Sequence, residues 1–176
     1  MSMPNLLAAS SVLILVSAAA LAAESPNLGR VATQEEVASW NLTITPDGDG
    51  LPPGSGTPKQ GESVYVAKCI ACHGEKGAGN PADRLAGGQG TIGGDRRPVK
   101  TIGSFWPYAT TVFAYIRRAM PYYETKSLTN DDLYALSAYL LYLNGIIGEN
   151  DTMNAQTLPK VRMPNRDGFV PFVRGN

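Results

Sequence analysis

The alternation of apolar and polar positions divides this chain into an apolar leader, a helical centre and two irregular flanks. Residues 6–23, LLAASSVLILVSAAALAA, form an apolar run ending in small residues, and no charged side chain precedes Glu24. With Ala20 and Ala22 in an A-x-A arrangement, residues 1–23 read as a secretory signal cleaved near Ala22 or Ala23. The n-region is atypical in lacking Lys and Arg, and the competing reading is an uncleaved membrane anchor, since 18 apolar residues can just span a bilayer. Residues 24–57 are loop-like and end in TPDGDGLPPGSGTP, too rich in Gly and Pro for regular structure. Residues 146–176 are again irregular, punctuated by Pro159, Pro164 and Pro171.

Helical periodicity is confined to residues 58–145. Gly61, Tyr65 and Cys69 recur every fourth position on one helix face. Val112, Tyr115, Ile116 and Ala119 form a second apolar stripe. In SLTNDDLYALSAYLLYLNG, Thr129 can cap a third helix, with Asp131 and Asp132 in its positive first turn. Leu133, Leu136, Leu140 and Leu143 form its expected buried face, and Gly145 stands where the helix should stop. No stretch sustains the alternation of a strand. The expected fold is all-α, one core with irregular arms at 24–57 and 146–176.

The candidate chemistry is concentrated in KCIACHG, residues 68–74, which holds Cys69, Cys72 and His73, the only Cys and His of the chain. Structural zinc takes four ligands, usually as two separated pairs, and no second pair exists. A thioredoxin-like dithiol needs a βαβ setting that the pattern lacks. A disulfide suits an exported protein but leaves His73 without a role. Covalent haem uses all three residues. Thiols at i and i+3 add to the haem vinyl groups, and the adjacent imidazole reaches the iron as proximal ligand. One haem c, bound through Cys69 and Cys72 with His73 on the metal, is expected.

With no second histidine, the opposite iron position falls to a methionine or stays open. Beyond the leader the methionines are Met120, Met153 and Met163. Met120 lies in RRAMPYY, where Pro121 lacks an N–H and turns the chain ahead of the capped helix. It is the expected axial ligand, while Met153 and Met163 read as gap-filling core. An open position would instead make the chain a haem enzyme or a gas-binding protein.

Haem propionates must be solvated or hydrogen-bonded. Arg96, Arg97, Trp106 and Tyr108, with Lys100, lie between the two ligand regions and are the candidates for that contact. A solvated basic face and ordinary core aromatics are the alternatives. Gly87, Gly88 and Gly90 could bring backbone close to the haem; no Lys-Ser/Thr follows them, so they form no phosphate loop. Arg117 and Arg118 suit either a partner-facing haem rim or a solvated helix end. Composition adds little: 43% hydrophobic, 17% charged and formal net charge zero over 176 residues fit one modest domain. Balanced charge argues against nucleic acid as a partner.

Residues 61–145 resemble class I c-type cytochromes, which implies an all-α haem domain at 58–145. In it the helix before the CxxCH would cross the C-terminal helix, with Gly61 and Tyr65 near Leu136 and Leu140. Six strings extend the likeness: LPPGSG, GGQGT, PVKTIGSFWPYATT, YIRRAMP, AYLLYLNGII and LPKVRMPNRDGF, in that order. Together they look like the haem c subunit of bacterial sulfite dehydrogenases, and like the N-terminal haem domain of the Sox sulfane dehydrogenase cytochrome subunit. A single CxxCH leaves no second haem domain and favours the monohaem sulfite dehydrogenase subunit.

The resemblance implies single-electron transfer in the periplasm from a separate molybdopterin-containing catalytic subunit. The acceptor would be a soluble cytochrome c or an oxidase, and catalysis would belong to the partner. No membrane association is expected once the signal is removed. The alternative is a free-standing periplasmic shuttle between respiratory complexes. Trp40, Leu42, Ile44, Leu158, Val161, Phe169, Val170, Phe172 and Val173 make the arms too apolar for idle tails. Either the partner or the chain's own core should cover them.

Overall fold

The computed structural model describes residues 28–95 and 97–170. The leader, Arg96, Phe172 and Val173 lie outside the described residues. The chain divides into one unit ending at Trp40 and another beginning at Asn41. Among the described residues no helix is long and apolar enough to cross a membrane.

In the first unit a short helix, α1, runs Gln34–Trp40. Its start is specified locally. Thr33 Oγ1 accepts from Glu36 N at 3.2 Å, and the Glu36 carboxylate accepts from Thr33 N at 2.8 Å. Arg30 also pairs with Glu36 and lowers the Glu36 carboxyl to about 2; the Thr33 backbone bond adds to the shift. None of the helix is buried, and Leu28, Val31, Val37 and Trp40 are exposed.

The second unit contains α2 (Pro58–Lys68), α3 (Ile70–His73), α4 (Ala109–Ala119) and α5 (Asn130–Leu143). Two-residue strands β1 (Ser55–Gly56) and β2 (Met153–Asn154) pair antiparallel, Gly56 opposite Met153. Such short strands leave no periodic trace in a sequence. Thr57 and Gln60 form a capping box at the start of α2, with Pro58 in the first turn, where a missing N–H costs nothing. Thr129 and Asp132 form the same device at the start of α5. The far end of α5 closes on Gly145, φ 65°, with Gly145 N bonded to Tyr142 O and Ile146 N to Leu141 O. That is a Schellman closure, and the left-handed residue must be glycine-like.

The sequence suggested a single buried face on α5, but every residue from Leu133 to Leu141 is buried. The helix is central: α2, α4, β1 and β2 all pack on it. Ala135 is the closest crossing point. A Cβ on Gly61 would stand 1.9 Å from Ala135 O, and one on Gly56 would stand 2.2 Å from Ala135 N. Tyr65 packs on Tyr139, ring centroids 5.3 Å apart. The crossing therefore falls on Ala135 and Tyr139, one position before the expected Leu136 and Leu140.

On α4, Val112 and Ile116 are buried with Phe113, whereas Tyr115 is 46% exposed and lies edge-on to Trp106. The inward stripe is thus rotated toward Phe113, whose ring meets Tyr134 at 4.6 Å. Residues 41–57 and 146–168 are built into this unit. Tyr134 Oη donates to Pro52 O at 2.8 Å, and Met153, Leu158 and Met163 are 5%, 0% and 1% exposed in the core. Residues 153–163 thus cover their own core, whereas Phe169 and Val170 stay exposed.

Candidate haem site

Residues Cys69 to His73 form one helical turn: Cys72 N bonds to Cys69 O at 3.1 Å and His73 N to the same oxygen at 2.9 Å. Positions i, i+3 and i+4 share a helix face, so both thiols and the imidazole project from one side. Both cysteines are free thiols; Cys72 is exposed and Cys69 half-buried against the core. Burial, then the neighbouring Cys72, pushes the Cys69 thiol up to about 11, so it is protonated at neutral pH.

His73 is oriented by the backbone. Its Nδ1 lies 2.8 Å from the carbonyl oxygen of Asp83, a pairing that requires Nδ1 to carry the proton and leaves Nε2 as the free lone pair. The loop that carries Asp83 folds back on the motif. Gly79 N bonds to His73 O at 2.7 Å and Ala82 N to Cys72 O at 2.8 Å. Tyr65 Oη, one helix earlier, donates to Gly74 O at 2.8 Å and braces the residue after His73. Burial first, then nearby Cys69, raises the Tyr65 hydroxyl to about 12, so it remains a donor.

Met120 ends α4 in an extended conformation, φ −126°, ψ 147°, with Pro121 preventing another turn. Its side chain is partly buried against the same core as Cys69, Ile70, Leu85 and Trp106. Lys68 Nζ, adjacent to Cys69, pairs with Glu124 at 2.9 Å and ties the segment after Met120 to the end of α2. Met153 and Met163, by contrast, are consumed by the core.

The propionate candidates are not gathered into one network. Arg97 is exposed, and Tyr108 lies under the guanidinium of Arg166, 4.2 Å from its centroid. Lys100 stands over Phe105. Trp106 is half-buried against the core. A groove of about 610 Å³ is lined by Pro46, Asp47, Tyr108, Pro159, Lys160 and Arg166 among others, and by none of the four donors. Shape would point there; donor chemistry points to 69–73, and the chemistry is the more specific guide.

The residues present fit a covalent haem. Among the described residues no three His, Cys, Asp or Glu side chains converge on one ion position. Thiols and imidazole instead stand side by side, as separate bonds to a macrocycle and to its metal require. The sequence could not disclose the Asp83 carbonyl, because a backbone acceptor carries no residue signature. Tyr65 was legible only as a core position, and Asn144, bonded to the loop after Asp83, only as the residue before a helix stop.

Comparison with known proteins gives the same answer. The family model described as cytochrome c oxidase, cbb3-type, subunit III matches residues 56–140. No curated protein matches the chain. A chain in the crystal structure of the sulfane dehydrogenase SoxCD from Paracoccus pantotrophus is 42% identical, with a TM-score of 0.78, over 84% of this chain and 73% of that one. The chain belongs to the c-type cytochromes, all-α electron-transfer proteins with covalently bound haem c.

Proposed function

We propose that this chain is the monohaem electron-accepting subunit of a sulfite dehydrogenase, receiving electrons from a molybdenum-cofactor subunit. It would pass them to a soluble cytochrome c or an oxidase in the periplasm. The observation that carries the haem assignment is the His73 Nδ1–Asp83 carbonyl contact, which leaves Nε2 unused on the same helical turn as two free thiols. The likeness to a SoxCD chain over 84% of the residues supports a sulfur-oxidising partner.

Cys69 and Cys72 would hold the haem by thioether bonds, His73 and Met120 would bind its iron, and Trp106, Tyr108 and Arg97 would offer donors to its propionates. Arg96, outside the described residues, belongs to the same proposal. When bound, haem c supplies one-electron iron chemistry. The Asp83 carbonyl would hold the imidazole in one orientation, with Nε2 turned away from that contact. That acceptor also strengthens the imidazole as a donor. Met120, a thioether, favours the reduced state relative to a second histidine. Oxidation of sulfite to sulfate takes its oxygen from water and releases two protons and two electrons, so a subunit with one haem would be reduced twice for each sulfite oxidised.

The test is haem reduction followed by absorbance after adding sulfite to the oxidised holoprotein, with and without a molybdenum sulfite-oxidising subunit. Reduction that requires that subunit, together with co-sedimentation of the two proteins, is the expected result. Reduction without complex formation, equally fast from unrelated respiratory donors, would establish the free-standing shuttle instead.

A further inference from the structure

Asn144 is the C-cap of α5 and only 7% exposed, yet its side chain is not what ends the helix. The Gly145 and Ile146 backbone bonds do that. The Asn144 side chain is turned to the loop that follows His73. Its Oδ1 accepts from Gly87 N at 2.9 Å, and its Nδ2 donates to Leu85 O at 3.2 Å as well as to Leu140 O at 2.8 Å. The Asn144 carbonyl accepts from Gln89 Nε2 at 2.8 Å. Space around the amide is tight: a Cβ on Gly103 would stand 2.3 Å from Oδ1.

This loop contains the carbonyl on which His73 rests. Asp83 lies between Ala82, whose N–H bonds to Cys72 O, and Leu85, whose carbonyl accepts from Asn144. The acceptor for His73 Nδ1 is therefore held from one side by the motif itself and from the other by the end of α5. The same helix holds the other side of the motif, because Ala135 meets α2 at Gly61.

We propose that Asn144 is a positioning residue for His73, fixing the Asp83 carbonyl and through it the ring orientation of the proximal ligand. The proposal rests on the reading that His73 Nε2 binds the haem iron. Buried amides with both ends bonded are expensive to replace, and all of the Asn144 side-chain bonds go to backbone. The side chain therefore acts on where the loop lies and leaves the chemistry of the haem untouched.

The experiment is NMR of the holoprotein, measuring solvent exchange of the His73 Nδ1 proton. In Asn144→Ala that proton should exchange at least about tenfold faster, because the loop opens locally once its anchoring hydrogen bonds are gone. Asn144→Asp keeps an acceptor for Gly87 N but sets an acceptor against two carbonyls, and should accelerate exchange as well. Thr129→Ala weakens the opposite end of α5 and reports what loss of helix stability does by itself. If Asn144→Ala speeds exchange no more than Thr129→Ala, the positioning role is overturned. Should Asn144→Ala fail to fold, Asn144→Asp is compared with Thr129→Ala in its place, and exchange no faster than in Thr129→Ala overturns the proposal. A wild-type holoprotein without a haem-shifted His73 Nδ1 proton would overturn the ligand reading itself, a result distinct from the others.

Discussion

At the scale of single residues, the chain sets its methionines in different surroundings. Met120 is partly exposed at the end of α4, whereas Met163 is 1% exposed in the core. Met120→Ala should leave the haem attached, since the thioethers are untouched, but abolish the sulfur-to-iron charge-transfer absorption of the oxidised protein and lower its potential. Met163→Ala should keep that absorption and cost about 2–5 kcal/mol of stability by leaving a cavity, read by denaturant unfolding. The reverse pattern would reassign the axial ligand. Cys69, Cys72 and His73 were legible from spacing alone, because covalent haem demands those side chains at those intervals. The Asp83 carbonyl was not, because any residue supplies one and only the fold says which one faces His73.

At the scale of elements, capping chemistry reads directly from sequence and helix register does not. Thr129 was identifiable as a cap because its partner is three residues away. Which face of α5 meets α2 depends on how two helices settle, and the answer moved one position, to Ala135 and Tyr139. Gly61→Ala should therefore destabilise the protein by about 2–3 kcal/mol through overlap with Ala135 O, measured by urea unfolding. Unchanged stability in Gly61→Ala would show that the close approach to Ala135 is not needed. Helix α1 gives a pH prediction of defined sign. Its Glu36 carboxyl is lowered from 4.5 to about 2 by Arg30 and Thr33, so its support is present above about 4.5 and lost as pH falls through about 2. Chemical shifts of residues 34–40 should lose helical character across that window, and added salt should diminish the effect.

At the scale of the whole molecule, residues 41–57 and 146–168 belong to the same unit as the helical centre. Met153, Leu158 and Met163 lie in the same core as Phe113 and Leu136, and β2 pairs with β1. Removing residues 149–176 should abolish cooperative unfolding and disturb the haem spectrum while the thioether-bound haem stays attached, measured by thermal denaturation and absorbance. A truncated protein with an intact transition would show that those side chains are dispensable. The apolar residues of the C-terminal flank looked available for a partner because a sequence shows that apolar groups need cover, never which surface supplies it. By itself the sequence determined the haem motif, the capped helices and the all-α class, since each depends on residues within a few positions of one another. The crossing at Ala135, the carbonyl behind His73 and the burial of the C-terminal segment were decided by tertiary structure, because each joins residues far apart in the chain through backbone or shape.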